Sequence, residues 1–428
     1  MKEKTRIRVI IVAITLCVVA SLGFARFSFG AILPFMKEGL GFDYQQTGTV
    51  ASGIFLGYLM SSFISGYVVL KYTAKRVILC SLILVAVSMV IISLSNHIIV
   101  AIFGSLLLGI GSGGANIPAL GLIPRWFAPS RRGMAMGIAN SGSGIGMSFS
   151  GMVVPLLIAI HPELGWRYSW WILAAFVMLI IMINSLFLKN DPGDVGMSPV
   201  GYSAVPTRNE DQLRPIKDYS SVYKNKYVWT IGICYFAWGF SYLTFSTFLV
   251  DYLMTDGGFQ KEMAGSYFAI AGFASVFSGF IWGSLSDRFG RIQTLSFVYF
   301  FQASILVLIV TTNNSFLLLS GVILYGLSLW AVPTVTNVGI SELVEPRLIP
   351  IAMGFLTLFF GVGQFISPII TGVLIDAANN YNTSFFLSAT VVAAAGVISF
   401  LLIIKTKKQQ LEIFQPKESK SSKDLKNY

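Results

Sequence analysis

The sequence predicts an all-α membrane protein with twelve transmembrane helices in two pseudo-symmetric six-helix halves. Three observations support this fold class. Of the 428 residues, 55% are hydrophobic and only 11% are charged, whereas a soluble domain has about 25% charged residues. Long apolar stretches occur twelve times, and landmarks in the first six recur at a constant distance in the last six.

Each apolar stretch has about 17 to 28 residues, enough for an α-helix to cross a hydrocarbon core of about 30 Å. The stretches are Val9–Met36, Gln46–Leu70, Val77–Leu94, Ile98–Ile123, Gly133–Ile160, Tyr168–Leu188, Tyr227–Val250, Met263–Leu285, Thr294–Val310, Phe316–Ile340, Ile351–Ile375 and Phe385–Ile404. The first one is far longer than the core of a signal peptide, so we expect an uncleaved helix.

The basic residues predict the membrane orientation. With twelve crossings both termini lie on one side, and that side collects most of the 30 Lys and Arg, whereas the other receives only Lys37, Arg167 and Lys261. This asymmetry is the positive-inside pattern, so we expect a multi-pass protein of the cell (plasma or inner) membrane with both termini in the cytoplasm. The net charge of +11 then reflects topology and attraction to the lipid bilayer rather than nucleic-acid binding.

The polar intervals predict the domain boundaries. Residues 1–188 form the N-terminal six-helix half, 189–226 a cytoplasmic linker, 227–404 the C-terminal six-helix half and 405–428 a basic cytoplasmic tail. The linker is rich in Pro, Gly, Asp and Lys. We expect the lysine-rich tail to be disordered.

The two halves form an internal repeat with a constant offset of 217 residues. The matching landmarks are Gly66 and Gly283, Ala135–Gly137 and Ala352–Gly354, and the pairs Gly144, Gly146 and Gly361, Gly363. Two parallel copies of one bundle place a cavity between them near the membrane midplane.

The loop between predicted helices 8 and 9 resembles the signature of the major facilitator superfamily, G-x-L-x-D-R-x-G-R. The sequence there is GSLSDRFGR, from Gly283 to Arg291. The first copy is degenerate, with Leu70 in the place of the aspartate and Thr73 in the place of the second glycine. The resemblance covers essentially the whole chain, and it implies a transporter with the major facilitator fold without specifying a substrate.

The same loop contains the candidate gating residues, which are Lys71 and Lys75 in the first copy and Asp287, Arg288 and Arg291 in the second. An aspartate at a helix end, flanked by arginines, can bridge to a neighbouring helix end and stabilise one of two packings of the gate. Because only the second copy has the acidic residue, we expect the two copies of the loop to stabilise the gate unequally. The alternative is a plain basic loop that only sets topology.

Arg26 is the one charged residue that lies clearly inside an apolar stretch. Arginine does not lose its proton in proteins, so it needs an anion, several carbonyl groups or water. No acidic residue lies inside a stretch to pair with it, and a guanidinium offers two parallel hydrogen bonds to a carboxylate. Arg26 therefore predicts binding of a solute anion, with a structural role against helix-end carbonyls as the alternative.

The first stretch also resembles a bacterial branch of the superfamily whose first helix carries G-x-x-R-F followed by Leu-Pro, here Gly23, Arg26, Phe27, Leu33 and Pro34. More loosely, RRGMAMGIANSGSGIG and GWRYSWWILA resemble the monocarboxylate and oxalate/formate transporters. Those transporters use basic residues in helices 8 and 11, and this chain has none there, which disfavours a dicarboxylate.

Other polar and aromatic residues inside the stretches are candidates for the solute pocket. Such residues also serve as contacts between helices or as packing, so each is an expectation with that alternative. They are Asn116, Asn140, Tyr235, Trp238, Trp330, Asn337 and Gln364.

The sequence predicts no enzyme, metal or cofactor. Cys17, Cys80 and Cys234 lie in separate stretches, and neither His97 nor His161 has a metal-ligand spacing. A G-x-G-x-x-G pattern in the fourth stretch lacks the strand and the acidic residue of a dinucleotide site. We expect no catalytic residues, and no proton relay is evident without a titrating group inside a stretch.

These features together predict a secondary active transporter that moves a small anionic, carboxylate-bearing organic solute by alternating access and functions as a monomer. The alternatives are a multidrug exporter of hydrophobic compounds and a membrane sensor that transports nothing.

Overall fold

The computed structural model describes residues 3–200, 220–345 and 348–414. Within them, twelve helices are long and apolar enough to cross a membrane, and this confirms the predicted number. No strand forms in the described residues, and one isolated bridge pairs Phe127 with Val200. We number the twelve helices as spans 1 to 12.

In the N-terminal half, span 1 combines α-helix Glu3–Val18, π-helix Val19–Phe27 and α-helix Ser28–Leu40. Spans 2 to 6 are Tyr44–Tyr72, Ala74–Ser93, Ile98–Gly121, Pro129–Ile160 and Gly165–Phe187, with a short helix Ile123–Trp126 after span 4.

In the C-terminal half, a short helix Ser220–Lys224 precedes span 7, Lys226–Thr255. Spans 8 and 9 are Lys261–Phe289 and Arg291–Thr311, and span 10 is broken into Ser315–Ser328 and Ala331–Leu343. Spans 11 and 12 are Ile349–Ala378 and Asn382–Phe414. Span 12 continues past Ile404, the last residue of the apolar stretch, and ends at Phe414. The start of the predicted tail is therefore helical rather than disordered.

The halves pack against each other through spans 2 and 11, spans 5 and 8, and spans 1 and 7. Odd-numbered spans run away from the end of the bundle where span 1 begins and span 12 ends, which we call the terminal end, and the other end is the distal end. Glycines permit the close approach of spans 5 and 8: a Cβ on Gly144 would lie 2.5 Å from the carbonyl oxygen of Gly272, and one on Gly151 would lie 2.7 Å from that of Gly265.

The distal end is held closed by polar contacts between the halves. The carboxylate of Asp376, on span 11, accepts hydrogen bonds from the backbone N–H groups of Tyr44 (3.1 Å) and Gln45 (2.7 Å) at the start of span 2. Lys37, on span 1, forms an ion pair of 3.2 Å with Asp251 on span 7. A carboxylate at a helix N-terminus satisfies free N–H groups and complements the helix dipole.

The terminal end is open by comparison. Leu70 on span 2 is 87% exposed and Met134 on span 5 is 73% exposed. A Cβ on Gly66, Gly137 or Gly354, on the interface spans 2, 5 and 11, would meet no atom within 4 Å. The bundle is therefore closed at the distal end and separated at the terminal end.

The first part of the predicted linker packs against the N-terminal half. Arg6 donates a hydrogen bond of 2.8 Å to the carbonyl oxygen of Val195, and Arg125 pairs with Asp191 at 3.2 Å. These contacts hold residues 189–200 against span 1 and the short helix that follows span 4. The rest of the linker up to residue 219 and the tail after Phe414 lie outside the described residues.

Candidate functional site

The backbone of span 1 places Arg26 at the centre of the bundle. Over Val19–Phe27 the helix has the wider π-helical turn, and the N–H of Ser28 donates to the carbonyl oxygen of Gly23 five residues earlier. Such wide turns are frequent at functional sites. Gly23 also lets span 1 approach span 5, because a Cβ there would lie 2.7 Å from the Cα of Gly146. Two residues of the G-x-x-R-F motif thus have separate roles, close packing for Gly23 and a charge at the centre for Arg26.

Arg26 lies between the halves and not in lipid, since only 7% of the residue is exposed. Its Nη2 donates a hydrogen bond of 3.2 Å to the hydroxyl of Tyr242 on span 7. Its guanidinium carbon lies 4.5 Å from the ring centre of Tyr58 and 4.9 Å from that of Phe55, both on span 2. These cation–π contacts stabilise the charge but do not neutralise it.

The guanidinium has unused hydrogen-bonding capacity. No carboxylate of the described residues lies within 4 Å of it, and its one hydrogen bond to these residues goes to the Tyr242 hydroxyl. The Nε of Arg26 is buried and has no acceptor among the described residues. Because buried donors in native proteins almost always have partners, this arrangement is suited to an anion that accepts from the guanidinium.

Tyr242 is held in place from the side of the C-terminal half. The Nε2 of Gln364, on span 11, donates a hydrogen bond to the same hydroxyl. The Tyr242 ring stacks on Trp238 with ring centres 4.6 Å apart and on Phe360 with ring centres 6.1 Å apart. Tyr235 continues the stack at 5.6 Å from Trp238. The site thus has a charged face from the N-terminal half and an aromatic face from the C-terminal half.

Trp330 packs against one edge of this aromatic face. It occupies the break in span 10, where its backbone N–H donates a hydrogen bond of 2.9 Å to the hydroxyl of Ser278. Its ring lies edge-on to Phe27 at 5.6 Å and to Trp238 at 6.4 Å. The indole N–H groups of Trp238 and Trp330 are both buried without an acceptor in the described part of the chain. Three unpaired donors, counting the Nε of Arg26, therefore lie on neighbouring residues.

The structure brings six of the eight predicted pocket residues into one connected cluster. Asn116 joins it by donating a hydrogen bond of 3.1 Å to the Tyr58 hydroxyl. No hydrogen bond joins the side chains of the other two to the cluster among the described residues: Asn140 is half-buried on span 5, and Asn337 is exposed near the terminal end of span 10. The six are Arg26, Asn116, Tyr235, Trp238, Trp330 and Gln364.

Sequence reasoning missed Tyr242 and the rings of Phe55, Tyr58 and Phe360. One signal was available for Tyr242, which follows Tyr235 and Trp238 at the spacing i, i+3, i+7 and so lies on the same helix face. The ring partners of Arg26 on span 2 have no such signal, because only the tertiary packing places them there.

The predicted gating residues lie at the terminal end. Arg291 pairs with Asp287 at 2.5 Å and with Glu342, at the end of span 10, at 3.0 Å. These ion pairs join the adjacent ends of spans 8, 9 and 10 within the C-terminal half, and the gating role stays a prediction. Arg288 lies over the ring of Phe289 at 5.6 Å.

The first copy of the loop forms no equivalent ion pair in the described part of the chain. The ammonium group of Lys75 donates a hydrogen bond of 2.6 Å to the carbonyl oxygen of Ser185, at the end of span 6. Lys71 is exposed and lies 5.2 Å from the ring of Tyr72. The polar contacts at the two loops thus differ, as their sequences do.

Asp251 is more deeply buried than its position directly after the seventh apolar stretch indicates. Its side chain is only 2% exposed, whereas that of its partner Lys37 is 17% exposed. Tyr381 donates a hydrogen bond of 2.6 Å to the same carboxylate. Burial and the neighbouring Asp251 carboxylate raise the pKa of the Tyr381 hydroxyl well above its ordinary value, so this donor stays protonated.

Comparison with known proteins agrees with this architecture. The probable sulfoacetate transporter of Cupriavidus necator is 22% identical over 418 residues, 94% of this chain and 95% of that protein. The hexuronate transporter of Bacillus subtilis is 24% identical over 402 residues, 86% of this chain and 88% of that protein. The crystal structure of a bacterial homologue of the human lysosomal transporter Spinster, inward-facing and unoccupied, has the same fold, with a TM-score of 0.74 at 16% identity over 94% of this chain and 97% of that one. The family model described as Major Facilitator Superfamily matches residues 15–346 and 258–426. The chain therefore belongs to the major facilitator superfamily, a family of membrane transporters.

Proposed function

We propose that this protein is a secondary transporter that carries a small organic anion, with a carboxylate or a similar acid group, across the cell membrane by alternating access. The observation that carries the proposal is Arg26, a permanent charge buried between the two halves without a carboxylate partner among the described residues. The solute would supply that partner.

The physical argument starts from the energy of a buried charge. An unpaired ion in a region of low dielectric constant is strongly unfavourable, and rings that face it compensate only in part. An acid group can accept two parallel hydrogen bonds from the guanidinium, which fixes its orientation as well as its charge. With a single arginine in the cluster, the site suits a solute with one acid group to be neutralised there.

The relatives support the same solute class. Sulfoacetate and hexuronates, which the names of two relatives give as their solutes, are organic acids. The aromatic face formed by Tyr235, Trp238 and Phe360 would contact the body of the solute.

The positions of the closed and open ends support alternating access. The site lies between the halves, below a closed distal end and above an open terminal end. If the terminal end faces the cytoplasm, as the distribution of basic residues predicts, the described state admits solute from the cytoplasmic side. Rocking of the two halves about the site would then open the distal end.

The test is uptake into proteoliposomes of single labelled acids, glucuronate and lactate among them, by counterflow. We expect uptake by the wild type, loss in Arg26→Gln, and partial activity in Arg26→Lys, which keeps the charge without the fork of donors. Arg167→Gln is the matched control, because Arg167 lies on span 6 and donates to Ser93 and Asn96 outside the site.

The other outcomes contradict the proposal. Uptake of a hydrophobic cation that persists in Arg26→Gln would favour a multidrug exporter, for which the stacked rings are also suited. Absence of any flux in reconstituted protein that is correctly folded would favour a sensor. Equal uptake of an acid by the wild type and by Arg26→Gln would remove Arg26 from the mechanism.

A further inference from the structure

We propose that the Tyr242 hydroxyl is the resident ligand of Arg26 when no solute is bound, and that the acid group of the solute displaces it. Tyr242 would then be a positioning residue that sets affinity by competing with the solute. This inference rests on the proposed function and adds a residue that the sequence did not single out.

The first step is the weakness of the resident contact. The hydrogen bond from Arg26 to Tyr242 is 3.2 Å long, at the upper end of the usual range, and its acceptor is a neutral phenol oxygen. Hydrogen bonds between two charged groups are shorter and roughly twice as strong. An acid group that enters the site therefore forms the better pair with Arg26.

The second step is that Tyr242 has another partner. Gln364 also hydrogen-bonds to the Tyr242 hydroxyl, so this hydroxyl does not become a buried group without a partner when Arg26 turns away. The ring is fixed by stacking on Trp238 and Phe360 and does not follow the guanidinium. Displacement of the hydroxyl thus requires movement of Arg26 and of no other side chain.

The third step is that few directional contacts fix the orientation of Arg26. Its Nε has no acceptor among the described residues, and the ring faces of Tyr58 and Phe55 do not fix the direction of the N–H groups. Arg26 belongs to the N-terminal half, and Tyr242 and Gln364 belong to the C-terminal half. Displacement therefore removes a hydrogen bond between the halves at the centre of the bundle and links solute binding to their relative movement.

The test measures how the melting temperature of purified full-length protein depends on the concentration of glucuronate, lactate or benzoate. Tyr242→Phe keeps the stacked ring and removes the competing hydroxyl, which is also the acceptor of the Gln364 amide. We expect its Kd for the stabilising acid to fall by about 3- to 10-fold, the effect of one modest hydrogen bond. The KM for uptake should fall by a similar factor. Tyr252→Phe is the control for loss of a buried hydroxyl, because Tyr252 is on the same span and donates to Ile309, away from Arg26.

Each outcome decides the question. A lower Kd in Tyr242→Phe, with an unchanged Kd in Tyr252→Phe, supports the competitor role. An unchanged or higher Kd in Tyr242→Phe overturns it, and if the acid then stabilises the wild type but not Arg26→Gln, the proposed function survives. If none of the acids stabilises the wild type or Tyr242→Phe, both proposals fail.

Discussion

The ion pair between Lys37 and Asp251 makes the closed distal end a testable feature. Lys37 is on span 1 and Asp251 on span 7, so the pair exists only while the two halves are together at that end. Asp251→Asn removes the charge and keeps an oxygen that can accept the hydrogen bond from Tyr381. We expect this change to shift the protein towards a state that is open at the distal end.

The size of the shift follows from burial. Removal of one partner of a fully buried ion pair costs about 3 to 5 kcal/mol. The Asp251 side chain is 2% exposed, but that of Lys37 is 17% exposed and its ammonium also lies 3.4 Å from the ring centre of Tyr44. Partial solvation and the remaining ring contact lower the expected loss to about 2 to 3 kcal/mol, or about 30- to 150-fold in the equilibrium between closed and open forms.

The assay is labelling of Thr247→Cys by a maleimide that cannot cross the membrane, added from the distal side. Thr247 is buried on span 7, where the backbone of span 1 approaches it at Gly30. The exposed Cys80 is replaced by serine, and the buried Cys17 and Cys234 are retained. We expect labelling to be much faster when Asp251→Asn is added, because the new thiol becomes accessible in the open form.

Asp256→Asn is the matched control. Asp256 is five residues away and exposed, and it accepts a hydrogen bond of 2.8 Å from the backbone N–H of Tyr381. Both of these residues are in the C-terminal half, so this change removes an equal charge without loss of a contact between the halves. Equal labelling rates in Asp251→Asn and Asp256→Asn would refute the reasoning.

Three further predictions concern packing, the terminal loop and the cation–π contacts. Gly144→Ala should lower stability by about 1 to 3 kcal/mol because its Cβ would lie 2.5 Å from the carbonyl oxygen of Gly272, whereas Gly137→Ala on the same span meets empty space and should not; melting curves in detergent compare them. Arg291→Gln should reduce stability by less than about 1 kcal/mol, because its acidic partners are exposed, yet change the uptake rate at an unchanged Kd, and an unchanged rate would contradict a gating role. Tyr58→Leu should lower the stability of the solute-free protein by about 0.5 to 2 kcal/mol through loss of the cation–π contact with the buried charge, whereas Tyr58→Phe keeps that contact; melting curves without acid compare them.

Much of the fold follows from the sequence because lipid imposes simple rules. Each span must satisfy its backbone hydrogen bonds within itself and must exceed the membrane thickness, so length and hydropathy are enough to locate it. The breaks are harder to predict. The π-helical segment that contains Arg26 and the interruption of span 10 at Trp330 depend on close packing with neighbouring spans.

The candidate site could be predicted only in part. Arg26 can be identified as a candidate site residue because a charged side chain inside an apolar stretch is energetically costly. Its partner Tyr242 is uncharged and lies 216 residues away, so nothing local to Arg26 indicates it. Asp251 shows the same limit, because its burial arises from contact between the halves and not from its position near a helix end.

The most direct test of the central claim is a thermal-stability screen of the purified protein against small carboxylates, with salt and pH constant, repeated with Arg26→Gln and with Arg167→Gln. Binding stabilises the folded protein by about 2.7 kcal/mol when the acid is at 100 times its Kd. We expect at least one acid to raise the melting temperature of the wild type and of Arg167→Gln but not of Arg26→Gln. Equal stabilisation of all three proteins would contradict an anion site at Arg26.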